Sequence, residues 1–295
     1  MSLVINTNTM ANTVSRNLNT HYNALSDSTR KLSSGLRVER AADDAAGLAV
    51  RELMRADITA LQQGVRNAND AISLIQTADG ALQTIDEKLI RMKELAEQAA
   101  TGTYDSVQRS IIDSEYQAMA SEITRIAKAT DFSNVHLLDG NLSSDTHDGS
   151  KMTSTGKLKI HFGAGNDSDE DYYYIKIDSA TASSLGIGNS AAAGSAGFAI
   201  STQEAAGNAI KAINQAIVSK DNIRASLGSM QNRLEATVSN LTVQAENLQS
   251  AESRISDVDV ASEMTKFVRN QVLANTAVSM LGQANTIPQM ALSLI

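Results

Sequence analysis

A chain of 295 residues with a formal net charge of −8, 3% aromatic residues and no tryptophan or cysteine lacks the basic stripe of a nucleic-acid binder, the positive charge that holds a protein on an anionic membrane, and any disulfide or thiolate metal framework. No run of eighteen apolar residues offers a membrane span. The start, Met1-Ser-Leu-Val-Ile-Asn-Thr-Asn-Thr9, has neither a basic nor an apolar signal region, so no ordinary secretory signal peptide is expected.

Residues 1–34 are rich in Asn, Thr and Ser, yet Val14, Leu18, Leu25 and Leu32 fall on one face. So thin a stripe on weak helix formers predicts a helix that frays alone and is ordered by partners. Gly35 to Asp44 breaks the pattern with a charged cluster, and Asp43 or Asp44 is the expected N-cap of the next helix. From Ile58 to Ala99 one apolar row, Leu61, Ala68, Ile75, Leu82, Leu89 and Ala96, recurs every seven residues. A second row, Ile58, Val65 and Ile72, resumes after Asp79-Gly80 as Ile85, Met92 and Ala99, one residue out of phase. Two such rows are the seam of a helix packed along another helix. This helix is expected to end near Thr101-Gly102. A further one starts at Asp105, with Ile112, Tyr116, Met119, Ile123 and Ile126 as its stripe, and closes at Thr130-Asp131.

Between Phe132 and about Phe198 helical periodicity disappears. Lys157–Phe162 and Tyr172–Asp178 alternate polar and apolar residues and predict a β-hairpin with Gly163–Asp171 as its loop. Residues 186–197 read as a low-complexity loop. Ser201-Thr-Gln-Glu204 reads as a capping box. The stripe Ala206, Ile210, Ile213 and Ile217 follows, Lys220-Asp-Asn222 shifts the phase, and Leu227, Leu234, Leu241, Leu248 and Ile255 form the partner seam. After a second break at Ser256–Asp259, the stripe Val260, Met264, Phe267, Ala274, Val278 and Leu281, with Gln271 in one seam position, runs to Pro288, which is expected to end it. About 35 residues precede the first break and 36 follow the second. The predicted fold is therefore mainly α: a long antiparallel heptad-patterned helical hairpin in two stacked tiers with a small β-hairpin insert. The divisions are residues 1–35 with 260–295, residues 36–135 with 200–259, and an insert at 136–199.

Catalytic and metal chemistry find no support. His21, His136, His147 and His161 are scattered, with no pair at ligand spacing. Asp167-Ser-Asp-Glu-Asp171 lacks the full calcium-loop pattern and reads as a solvated hairpin tip. Phosphate-loop and dinucleotide signatures are missing, and no cofactor is expected. Asn141, Asn166 and Asn240 head short glycosylation-type triplets to which little weight attaches, since Asn240 lies within a seam.

Ile5-Asn-Thr-Asn8, Lys31-Leu-Ser-Ser-Gly-Leu-Arg37, Ala42-Asp-Asp-Ala-Ala-Gly-Leu-Ala49 and Asn67–Leu82, together with Leu227-Gly, Gln231–Glu235, Ser253–Asp257, Gln283-Ala-Asn285 and Pro288-Gln289, resemble bacterial flagellins. Val38-Glu-Arg40 departs from the commoner Ile-Asn-Ser, a change expected on a surface of the break. The resemblance implies a non-enzymatic subunit of the flagellar filament, found outside the cell and exported by the flagellar type III channel. Its partners would be further copies of itself, an export chaperone, cap and junction proteins, with no nucleic acid or membrane. The terminal helices would form the filament's inner core, with Leu18, Leu25, Leu32, Met264, Phe267, Val278 and Leu281 as the assembly interface. The outer-tier seam would be Leu61, Ile75, Leu82, Leu89, Leu227, Leu234, Leu241 and Leu248. The family's contact with a vertebrate Toll-like receptor would map to Arg91, Leu95 and Glu115. Ser and Thr of 143–201 are candidate O-glycosylation sites. The rival readings are a hook–filament junction protein of the same superfamily, expected to lack the full Asp43–Leu48 and Asn67–Leu82 matches, and a helical binding adaptor, expected to be a stable monomer with ordered ends.

Overall fold

The computed structural model of the chain describes residues 7–148, 155–168, 170–187 and 199–292. The helices are α1 (Thr9–Ser34), α2 (Ala45–Ala100), α3 (Ser106–Ala129), α4 (Gln203–Ser256) and α5 (Val260–Leu292). Between α3 and α4 come three two-stranded antiparallel ladders: β1 (Asp131–Phe132) with β2 (Val135–His136), β3 (His147–Asp148) with β4 (Thr155–Gly156), and β5 (Leu158–His161) with β6 (Tyr172–Ile175). This is the expected mainly-α architecture with a small β insert. The chain divides into two compact units, Met1–Ile58 with Glu246–Ile295, and Thr59–Ala245. Most of the low-complexity loop, residues 188–197, lies outside the described residues.

In the first unit α1 packs along α5. The two run antiparallel: Asn8 meets Ala284 at one end and Ser28 meets Glu263 at the other. Packed on α5, α1 is helical from Thr9 to Ser34 and capped at both ends. Asn8 Oδ1 accepts from the Ala11 amide at 2.9 Å, and Gly35, at φ +73°, closes the C-terminus by donating its amide to the Lys31 carbonyl. Tertiary packing supplies what weak propensity does not.

The two breaks lie side by side. Leu36 and Asp257 form an antiparallel bridge, the Arg37 amide donates to the Ser256 carbonyl at 2.6 Å, and the Val258 amide donates to the Gly35 carbonyl at 3.0 Å. Arg37 Nη2 also donates to the Ile255 carbonyl. Helix α2 is capped by Asp44, whose carboxylate accepts from the Gly47 amide at 2.9 Å. Asp259 caps α5 through the amides of Ala261 and Ser262. The Val38-Glu-Arg40 departure is not simply a surface change. Val38 is buried, its carbonyl accepts from the buried Arg51 guanidinium at 2.6 Å, and Glu39 pairs with Arg30 at 2.8 Å.

In the second unit the phase change read from the sequence after Gly80 is absent from the buried line of α2, where Leu61, Gly64, Ala68, Ala71, Ile75 and Ala78 follow unbroken heptad spacing. Val65 and Ile72, the row expected there, lie half-buried beside this line, because Gly64, Ala71 and Ala78 are the small residues that face the neighbouring elements. From Ala78 the line runs through Leu82, Ile85, Leu89, Met92, Ala96 and Ala99, all buried. Asp79 falls to the flank and receives Arg224 of α4 through two bonds of 2.7 and 3.2 Å. On α4 the sequence-level phase shift is absent. Ala206, Ala209, Ile213, Ala216, Lys220, Ile223, Leu227, Met230 and Leu234 follow unbroken heptad spacing. Lys220 occupies a seam position at 2% exposure, its ammonium 2.6 Å from Asp86 of α2 and 2.7 Å from Asp221. A charged residue in an apolar row looks like a break in sequence; two carboxylates make it a seam residue in the fold.

Helix α3 has the capping box that Asp105 and Gln108 predict. It buries Ile112, Tyr116, Ala120, Ile123 and Ala127. The box expected at Ser201–Glu204 does not form: Gln203 is already the first helical residue, Thr202 caps it by accepting from the Ala205 amide, and Ala205 has no polar side chain to reach back. The predicted hairpin forms with Leu158 opposite Ile175 and His161 opposite Tyr172. It docks on both long helices. Gly64 of α2 lies against the Phe162 backbone, so closely that a Cβ would collide with its carbonyl. Asn67 Nδ2 donates to the His161 carbonyl at 2.8 Å, and the Arg233 guanidinium of α4 stacks 3.6 Å over the Tyr173 ring.

Candidate assembly surface

Every half-buried or buried position of α5 between Val260 and Thr286 falls on one heptad line: Glu263, Phe267, Asn270, Ala274, Ala277, Leu281 and Ala284. The facing line on α1 is Ala11, Val14, Leu18, His21, Leu25, Ser28 and Leu32. Both lines mix small, polar and apolar residues. The stripe expected on α5 is therefore rotated. Asn270, not Gln271, is the polar seam residue, and Val260, Met264 and Val278 point away from it. Expectation followed the most apolar line of the helix, whereas α1 takes the line of small side chains that lets two helices approach.

The apolar residues left over are exposed. They include Val260, Met264, Val268 and Val272 at four-residue steps, with Leu273, Val278 (49% exposed), Met280 and Met290. Of the seven interface candidates, Leu18, Leu25, Leu32, Phe267 and Leu281 thus lie half-buried in the α1–α5 seam, and Met264 and Val278 face outward. Pro288 does not end α5, whose backbone stays helical to Leu292. Proline has no amide hydrogen for the Ala284 carbonyl four residues earlier. Asn8 Nδ2 fills that role at 2.9 Å, so one side chain caps α1 and satisfies α5.

Polar groups at this surface are held internally. The hydroxyls of Thr13, Thr20, Thr29, Thr265, Thr276 and Ser279 donate to the carbonyl four residues earlier on their own helix. In the seam, Ser28 donates to Glu263 at 2.7 Å and Lys266 pairs with the other carboxylate oxygen at 3.0 Å. The hydroxyl bond first, and the ammonium second, hold the Glu263 carboxyl below its ordinary range against the opposing effect of burial. At the break, Asp43 accepts from the amides of Arg40 and Glu39, chiefly Arg40, and its carboxyl is likewise lowered. Arg30 ties Asp27, Glu39 and Asp43 together at 3.1, 2.8 and 3.4 Å.

In the second unit, Leu61, Ile75, Leu82, Leu89, Leu227, Leu234 and Leu241 are buried, and Leu248, in the first unit, is half-buried. Arg91 bridges exposed Glu115 at 2.8 Å and Glu94 at 2.9 Å, and these bonds, Glu115 first, raise its already high pKa. Leu95 is fully buried. Among the described residues no helix is long and apolar enough to cross a membrane, and no cluster of His, Asp or Glu has the grouping of a metal site.

The bacterial flagellin N-terminal helical region matches residues 5–143, and the corresponding C-terminal helical region matches residues 210–295. The chain belongs to the bacterial flagellin family. Similar proteins include the flagellar filament 33 kDa core protein of Treponema phagedenis, 39% identical over 99% of this chain and 100% of that one. A flagellin of Halalkalibacterium halodurans is 40% identical over the same shares. A solved putative flagellar hook-associated protein from Vibrio parahaemolyticus shares the fold, with a TM-score of 0.55 at 12% identity, over 73% of this chain and 100% of that one. This flagellin is a structural subunit of the flagellar filament, a polymer of the extracellular flagellum.

Proposed function

We propose that this flagellin polymerises through the outward apolar residues of α5, with the α1–α5 pair as the building block of the filament's inner core. The observation that carries this is the division of α5. One line, Glu263, Phe267, Asn270, Ala274, Ala277, Leu281 and Ala284, faces its own chain, and Val260, Met264, Val268, Val272, Val278 and Met280 are left exposed. Apolar surface of this kind is stabilised only by burial against neighbours. On this reading Leu18, Leu25, Leu32, Phe267 and Leu281 make the subunit competent, and Met264 and Val278 join subunits. Residues 36–135 with 200–259 form the outer tier, and 136–199 the outward insert.

Electron microscopy of polymerised full-length protein tests this against a form lacking 1–34 and 260–295 and against Val272→Asp/Val278→Asp. Filaments from the intact chain alone are expected. Filaments from the aspartate variant would refute the outward face as the interface. The export chaperone, cap and junction proteins belong to the same reading, as proteins that meet these helices before and during assembly. Recognition by a Toll-like receptor is proposed at exposed Arg91 and Glu115, with buried Leu95 one helical turn along α2 from Arg91. A reporter-cell assay in which soluble monomer and Arg91→Ala are equally silent, or equally active, would remove it.

A further inference from the structure

The methionines of the described chain fall into two groups. Met92 is buried, and Met54, Met119 and Met230 are half-buried. Met10, Met264, Met280 and Met290 are 43%, 44%, 50% and 54% exposed, and all four lie on α1 or α5. With no cysteine anywhere in the chain, these are the most accessible sulfurs among the described residues. Three of them belong to the outward apolar face of α5.

We propose that the exposed methionines of α1 and α5 form an oxidation-sensitive site that switches off assembly of the free subunit. The inference rests on the assembly reading above. The co-reactant is hydrogen peroxide, small and uncharged enough to reach a half-exposed thioether. A sulfur lone pair attacks one peroxide oxygen, an S–O bond forms and the O–O bond breaks. The departing hydroxide takes the remaining peroxide proton and leaves as water. Sulfur is oxidised by two electrons and the peroxide is reduced by two. The product, methionine sulfoxide, places a strong dipole on a face whose association depends on losing contact with water. Each of the three on α5 opposes burial at its own position along the helix. In the polymer these side chains are covered, so sensitivity belongs to the subunit before it is built in.

The test treats full-length monomer with hydrogen peroxide, maps sulfoxides by peptide mass spectrometry and follows polymerisation by light scattering. Met10, Met264, Met280 and Met290 are expected to oxidise before Met92, Met119 and Met230. The concentration needed for polymerisation should rise about tenfold or more, and methionine sulfoxide reductase should restore it. A Met10→Leu/Met264→Leu/Met280→Leu/Met290→Leu variant should polymerise and keep doing so after peroxide. If preformed filaments shield these methionines but oxidised monomers polymerise normally, the switch is overturned and the assembly reading stands. If filaments oxidise at these positions as fast as monomers, the assembly face itself is wrong and the switch falls with it. Equal inactivation of the leucine variant also overturns the switch.

Discussion

Lys220 is the sharpest place to test how the second unit is held. Its ammonium sits in the α4 seam at 2% exposure between Asp86 and Asp221, whose side chains are 30% and 58% exposed. Removing one partner of a fully buried ion pair costs about 3–5 kcal/mol, whereas replacing the pair by a well-packed apolar group is often neutral or stabilising. The carboxylates here are partly hydrated, so the penalty is asymmetric. Lys220→Met fills the seam and leaves two carboxylates that water can solvate; its stability should lie within about 1 kcal/mol of the parent, or above it. Asp86→Asn leaves the buried ammonium with Asp221 alone, a pair weakened by solvent, and should cost about 1–2 kcal/mol. Native-state hydrogen exchange of amides in 82–92 and 213–227 reads this unit directly, without assuming that the whole chain unfolds in one step. A Lys220→Met protein that loses more stability than Asp86→Asn would refute the reasoning, because it would make the lysine a net stabiliser rather than a tolerated charge.

The other predictions concern the helix ends and the hairpin. Glu263 has a lowered carboxyl in the folded chain, so its contribution is present above the unfolded value of 4.5 and is lost as pH falls through the folded one. The protection of α1 amides, taken relative to their intrinsic exchange at each pH, should therefore fall as the solution is taken below the unfolded value of 4.5, and Glu263→Gln should reduce that pH dependence. An unchanged profile would exclude this carboxyl. Asn8→Ala removes a cap worth about 1 kcal/mol and strands the Ala284 carbonyl, so exchange near residues 11–14 should rise while that of α2 stays fixed. Gly64→Ala should push the Phe162 backbone from α2 and alter the near-ultraviolet circular dichroism of Tyr173; an unaltered signal would mean the approach is looser than described.

The long seams were legible because Leu, Ile and Ala at heptad spacing have one efficient use, which is to face another helix. What was not legible shares a cause. Lys220 and the α5 seam depend on who the partner is, and a ranking of residues by hydrophobicity ignores the partner. Lys220 reads as an interruption until Asp86 is seen opposite, and Ala277 and Asn270 read as a polar flank until α1 is laid on them. The strands β1 to β4 are two residues each, too short for alternation to register. At β1–β2 the turn itself carries the information, Ser133 and Asn134 at φ of 51° and 66°. Pro288 signals a stop in most contexts and fails here in a helix whose bereft carbonyl has a donor arriving from 276 residues earlier in the chain.

The hydroxyls that bond back along α1 and α5 have a consequence for what a neighbouring subunit meets. Each Thr or Ser has spent its only hydrogen on its own helix. What Thr13, Thr20, Thr29, Thr265 and Thr276 show to the outside is a methyl group and an oxygen that can accept a hydrogen bond but has no hydrogen left to donate. Once the chain leaves the helix, the same hydroxyls are free to bond water. A composition that looks hydrophilic on paper therefore behaves as two materials, donating and accepting when unwound and only accepting once helical.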